Sequence, residues 1–208
     1  MRLAAAIAAL AAAAGVSFQV SMRADAPREG GREEAARLMG ELMSGRATVG
    51  GAFTLLDQNG TRRSLSDFRG KLVLLYFGYA YCPDVCPTDL MAMGQLIRSL
   101  GRDGEELQPV FITLDPQRDT REVLRDYVAA FHPRFVALSG TEEEIRRVAT
   151  SYKVSFEKVR PSGAATYLID HTAYVFLLDR QGRFATLFPP GTPAERMAVM
   201  VREQLVLQ

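Results

Sequence analysis

Two cysteines stand four positions apart in Tyr81-Cys82-Pro83-Asp84-Val85-Cys86-Pro87, and they are the whole cysteine content of the 208-residue chain. A bridge between them would close too short a loop to constrain an unfolded chain much, so their value is chemical and not structural. Pro83 and Pro87 restrict the backbone around the pair and favour a fixed separation of the two sulfurs. Two chemistries suit such a pair. One is reversible disulfide exchange, with Cys82 and Cys86 as the redox-active groups; the other is metal binding by two soft thiolates.

A third residue bears on the choice. Of the two histidines, His132 lies in Phe131-His132-Pro133 at the expected end of a helix, where an imidazole serves as a cap or meets solvent. His171, in Asp170-His171-Thr172-Ala173, lies where an apolar strand is expected to begin, and nothing structural asks for an imidazole there. Cys82, Cys86 and His171 together form a soft set suited to Cu(I), and able to hold Cu(II) with one more weak ligand. Zinc with a water molecule competes for the same set. A ligating imidazole needs an acceptor for its other N–H, and Asp115 and Asp170 are the candidates. Peroxidase chemistry would need an arginine-lined pocket, for which Arg118 could serve.

The elements around these residues can be read from pattern. Residues 71–77 are, after Lys71, an unbroken apolar run, expected of a strand buried on both faces, and the chain turns at Gly78 just before the cysteines. Pro87 fits the first position of a helix with Cys86 as its N-cap, and Leu90, Met93, Leu96, Ile97 and Leu100 form the apolar stripe. A thiol there feels the positive end of the helix dipole, so Cys86 is the expected thiolate. Upstream, Asn59-Gly60 joins two short strands in a hairpin. Downstream, strands are expected over 110–114, 135–138, 152–158, 173–178 and 183–187. The helices between and after them are opened by Asp119-Thr120-Arg121-Glu122, Thr141-Glu142-Glu143-Glu144 and Thr192-Pro193-Ala194-Glu195. The sum is an α/β fold, a mixed sheet with helices on both faces.

The bulk numbers set the frame. A hydrophobic content of 48% supports one real core, and 25 Lys and Arg against 24 Asp and Glu leave a net charge of +1 with no basic field, which argues against nucleic-acid binding. Residues 3–22 carry no charge and are flanked by Arg2 and Arg23. A membrane anchor is expected there in preference to a cleaved secretory segment, and either would take the rest across a membrane. The charged, glycine-bearing stretch to residue 47 reads as a linker, and 48–208 as the domain.

Tyr76-Phe77-Gly78-Tyr79 leading into Cys82-Pro83-Asp84-Val85-Cys86-Pro87, then Asp115-Pro116-Gln117-Arg118-Asp119-Thr120, then Asp170-His171, resemble the Sco/SenC family over residues 48–207. The resemblance implies a thioredoxin-like copper protein of cytochrome c oxidase assembly, with copper as Cu(I) or Cu(II) on Cys82, Cys86 and His171. It implies delivery to the dinuclear copper centre of oxidase subunit II, with thiol-disulfide reduction of the target cysteines as the alternative role. Other copper chaperones or thiol reductants are further expected partners. The expected location is the periplasmic side of the inner membrane, tethered through residues 3–22, or the periplasm itself if that segment is cleaved.

Overall fold

The computed structural model describes residues 48–206 except Ala164, together with Arg37, Gly40 and Glu41. The expected anchor over 3–22 lies outside the described residues, as does most of the expected linker. No helix among the described residues is long and apolar enough to cross a membrane. The chain separates into two units, 1–47 and 48–208, and everything below concerns the second.

Its elements run β1 (Thr54–Asp57), β2 (Arg62–Ser64), a 3₁₀ turn (Leu65–Phe68), β3 (Leu72–Gly78), α1 (Val85–Ser99), a second 3₁₀ turn (Gly101–Glu106), β4 (Leu107–Thr113), α2 (Arg121–Ala129), β5 (Val136–Ser139) and α3 (Glu142–Ser151). They continue with β6 (Phe156–Val159), β7 (Leu168–His171), β8 (Val175–Leu178), β9 (Phe184–Phe188) and α4 (Ala194–Val206). Seven strands form one mixed sheet in the order β2-β1-β5-β4-β3-β8-β9, while β6 and β7 form a separate two-stranded ribbon. In the sheet, β3 runs parallel to β4 and antiparallel to β8, and β5 runs parallel to β4. The expected N-terminal hairpin is β1 with β2, in antiparallel register.

Every residue of β3 is buried, which is why it reads as an unbroken apolar run. On one face Phe77 packs against Tyr152 and Phe176, and on the other Tyr76 stacks on Phe111. Helix α3 starts with the expected capping box: Thr141 Oγ1 accepts the Glu144 N–H at 3.1 Å, and Glu144 Oε2 accepts the Thr141 N–H at 2.8 Å. Thr120 caps α2 by accepting the Val123 N–H. The buried Asp57 and Asp179 fasten the β1–β2 and β8–β9 turns, each accepting two backbone N–H groups and the Nε–H of an arginine.

Three strands differ from the pattern reading, the first being β4, which starts at Leu107, three residues ahead of the expected start at 110, and ends at Thr113. The strand expected over 152–158 starts only at Phe156, because Tyr152 ends α3 and Lys153 takes a left-handed φ of 59°. The strand expected over 173–178 begins at Val175, and residues before it form β7, which pairs with β6. His171 thus closes a ribbon strand and does not open a sheet strand.

Candidate metal centre

The cysteines lie where β3 runs out and α1 begins, at one end of the sheet. Asp84 is the N-cap of α1, so Cys86 is its second residue and not its cap. The backbone N–H of Cys86 points back at Cys82 Sγ, 3.5 Å away. The sulfur that meets the helix N-terminus is therefore Cys82.

The two thiols, both free, occupy different environments: Cys82 is partly exposed and Cys86 is fully buried. The Cys86 side chain donates to Cys82, and this contact does most to hold Cys82 well below the usual thiol range; burial opposes it, while His171 and the backbone N–H groups of Asp84 and Cys86 assist. The same contact, then burial, then the charge of Cys82, drive Cys86 upward. One proton is shared by a coupled pair, with the charge on Cys82. This reverses the expectation from sequence, because the extra half-turn of helix before Pro87 carries Cys86 into the core.

His171 Nε2 stands 3.4 Å from Cys86 Sγ, and its Nδ1 lies 3.1 Å from the carbonyl oxygen of Thr172. The carbonyl can only accept, so Nδ1–H donates to it, and this turns Nε2, the atom that would serve as the metal ligand, towards the sulfurs. The ring-orienting acceptor is a neighbouring backbone carbonyl, in place of Asp115 or Asp170. Asp115 is taken up by Arg118 and by the Tyr167 hydroxyl, and Asp170 is exposed opposite Glu157 in the ribbon. Tyr76 and Tyr79 flank the imidazole edge-on, with ring centroids 6.3 and 6.1 Å away. The ligand atoms of Cys82, Cys86 and His171 all lie within 4.8 Å of one another, a group that could hold a metal ion.

His132 is elsewhere, its Nδ1 accepting the Arg134 N–H in the turn before β5. Arg118 is engaged through Nε by Asp115 and through Nη1 by Thr166 and Tyr167, while its Nη2 is buried without a hydrogen-bond partner among the described residues.

The roles of two residues around the site, Gly78 and Asp89, were not evident from sequence. Gly78 faces Cys86: a Cβ there would stand 2.8 Å from the sulfur and 2.9 Å from Tyr76 Cε1. Asp89 is only 2% exposed, its Oδ1 accepting the Gly191 N–H at 2.8 Å, which ties α1 to the turn before α4. Burial raises its pKa, against the pull of that N–H. Its Oδ2 and the Tyr76 hydroxyl are buried without a hydrogen-bond partner among the described residues. The available signal was an acid one turn after Cys86, on the apolar stripe itself.

The SCO1/SenC family model matches residues 42–206. An SCO2-like protein of Rickettsia prowazekii is 41% identical over 141 residues, covering 67% of this chain and 69% of its own. Among solved structures, Bradyrhizobium japonicum ScoI with copper bound is 40% identical, with a TM-score of 0.68, covering 75% of this chain and 99% of its own. Arabidopsis thaliana ScoI with copper bound is 32% identical, with a TM-score of 0.72 over 77% of this chain and 99% of its own. With the family model spanning the whole sheet, both cysteines and His171, the chain belongs to the SCO1/SenC family.

Proposed function

We propose that the protein is a copper metallochaperone that carries copper on Cys82, Cys86 and His171 and delivers it to the dinuclear copper centre of cytochrome c oxidase subunit II during assembly. The observation that carries this reading is the convergence of three soft donor atoms within 4.8 Å. Copper is cargo here, not a resident cofactor. Two thiolates and a neutral imidazole leave one negative charge with Cu(I) and none with Cu(II), and the copper-bound relatives support the choice over zinc. The Thr172 carbonyl orients the imidazole, Tyr76 and Tyr79 pack edge-on against it, and the partly exposed Cys82 is the side from which an incoming thiolate can exchange ligands. The same reading places the domain on the periplasmic side of the inner membrane, tethered through residues 3–22 or released if they are cleaved. Other copper chaperones and thiol reductants are then its further partners.

Anaerobic copper titration of the reduced protein tests this, alongside Cys82→Ser, Cys86→Ser and His171→Ala. Each substitution is expected to weaken binding. The reading fails if the reduced parent has no copper affinity, or if His171→Ala binds copper as well as the parent.

The shared proton of the cysteine pair favours a second reading, a thiol-disulfide oxidoreductase. The Cys82 thiolate would attack a target disulfide, forming a mixed disulfide and releasing one target thiolate. Cys86, losing its proton, would then attack Cys82 Sγ, releasing the second target thiolate and leaving a Cys82–Cys86 disulfide. Full exchange activity with lost copper binding in His171→Ala would show both roles on one site.

A further inference from the structure

The turn Asp115-Pro116-Gln117-Arg118 contributes none of the three donors, yet it reaches across to the ribbon that carries His171. Asp115 is fully buried, ion-paired with Arg118 Nε, and its Oδ1 accepts the Tyr167 hydroxyl at 2.8 Å. Arg118 Nη1 donates to Thr166 Oγ1 at 3.0 Å and to the Tyr167 carbonyl at 2.9 Å. The guanidinium carbon lies 3.7 Å from the centre of the Tyr167 ring, and 5.2 and 5.8 Å from those of Tyr81 and Tyr79. One side chain thus holds both residues that lead into β7.

Position along β7 gives this contact its meaning. Tyr167 immediately precedes Leu168–His171, and a four-residue strand carries any displacement at its start through to its end. The ribbon shares no ladder with the seven-stranded sheet, whereas Cys82 and Cys86 are set by β3 and α1, which belong to the main body. The hydrogen bond from His171 Nδ1 goes to the next residue and travels with the strand, so it orients the ring without fixing its distance from the sulfurs. Beyond His171 the chain is held where β8 joins the sheet, and Ile169 is buried between. At the far end Thr172, the residue after His171, pairs with Ser155 through its backbone N–H and its hydroxyl, so that end is tied to the start of β6, while the link from Lys158 to Gln117 and Glu142 is exposed and contributes little.

We propose that Arg118, seated on Asp115, is a positioning residue that fastens the start of β7 and thereby sets His171 at ligand distance from the two sulfurs. This rests on the copper reading above. It separates the two chemistries of the site, because thiol exchange needs only the sulfurs and copper binding also needs the imidazole. Lysine cannot replace the fork, since one ammonium cannot serve Asp115, Thr166 and Tyr167 together while stacking on a ring.

The test compares the parent with Arg118→Lys, Tyr167→Phe and His171→Ala. In metal-free protein, the side-chain nitrogen resonances of His171 are expected to broaden or multiply in Arg118→Lys. Its Cu(II) affinity should fall about 10- to 100-fold, the usual effect of removing a group that orients a ligand. The nitrogen hyperfine coupling in its Cu(II) EPR spectrum should weaken towards that of His171→Ala, while thiol-disulfide exchange proceeds at the parent rate. Tyr167→Phe keeps the ring and loses only the bond to Asp115, so it should move the same readouts less, and it decides the matter if Arg118→Lys does not fold. Parent affinity and hyperfine coupling in both variants would overturn the proposal, provided His171→Ala has lost them. Joint loss of copper binding and thiol exchange in Arg118→Lys would also overturn it, as a general structural role. If His171→Ala itself binds like the parent, the copper reading has failed.

Discussion

At Gly78 the backbone passes so close to Cys86 that even a methyl group has no place. A Cβ would meet the sulfur at 2.8 Å, Tyr76 Cε1 at 2.9 Å and Phe111 Cε2 at 3.2 Å, and none of these is the far end of a flexible side chain. Gly78→Ala is therefore expected to destabilise the protein by about 1–3 kcal/mol, the usual range for overpacking, and to weaken copper binding by displacing Cys86. Denaturant unfolding and copper titration of the same variant check both effects. Alkylation should separate the two sulfurs. A lowered thiol pKa means that thiolate persists as pH falls, so Cys82 is expected to react with iodoacetamide under mildly acidic conditions where an ordinary thiol is silent. Cys86, buried and protonated, should lag at every pH. Replacing Cys86 by alanine removes the donor that holds the Cys82 charge, so the onset of Cys82 labelling should move to higher pH in a mass-spectrometric pH–rate profile.

At the scale of elements, the turn after β4 carries a group that titrates against the fold. Asp119 Oδ2 accepts the Ala80 N–H and the Thr113 hydroxyl, linking the turn to the loop that bears the cysteines. Burial nevertheless outweighs those bonds and raises its carboxyl to about 6, from an ordinary aspartate value of 3.8. Between those pH values the unfolded chain has released a proton that the folded chain keeps, so stability is greatest below the lower value and falls as pH rises through the upper one. The loss amounts to about 3 kcal/mol at most. Asp119→Asn should flatten that part of the curve in urea unfolding from pH 4 to 7. Elements whose cause is local were legible in sequence: the apolar run of β3, the Thr141 and Glu144 capping box, and the Asn59-Gly60 hairpin. The ribbon was not, because β6 and β7 pair across a loop of residues 160–167 and their pattern of burial is mixed. The start of α1 was misplaced by two residues, since Pro87 is tolerated anywhere in the first turn and says little about which residue caps it.

At the scale of the whole molecule, the sheet, its helices and all three donor residues fall within residues 48–208. A protein beginning at Thr48 is expected to unfold in one cooperative transition and to bind copper as the longer chain does, measured by calorimetry and by titration. The candidate donor set, three groups that the fold brings within 4.8 Å of one another, was legible because soft donors are few in this sequence and their types narrow the chemistry. Their supports were not, because Gly78 against Cys86, Asp89 against Gly191 and Arg118 against Tyr167 are meetings of residues distant in sequence, with no periodic signal to announce them. The division between sheet and ribbon has one more consequence. Two of the candidate donors belong to the main body and one to an appendage, so an ion held by all three would be able to lose the third with every rung of the seven-stranded sheet intact. The residence time of a bound ion and the stability of the metal-free host are then set by different contacts, and a protein that outlasts heat can still part with its load quickly.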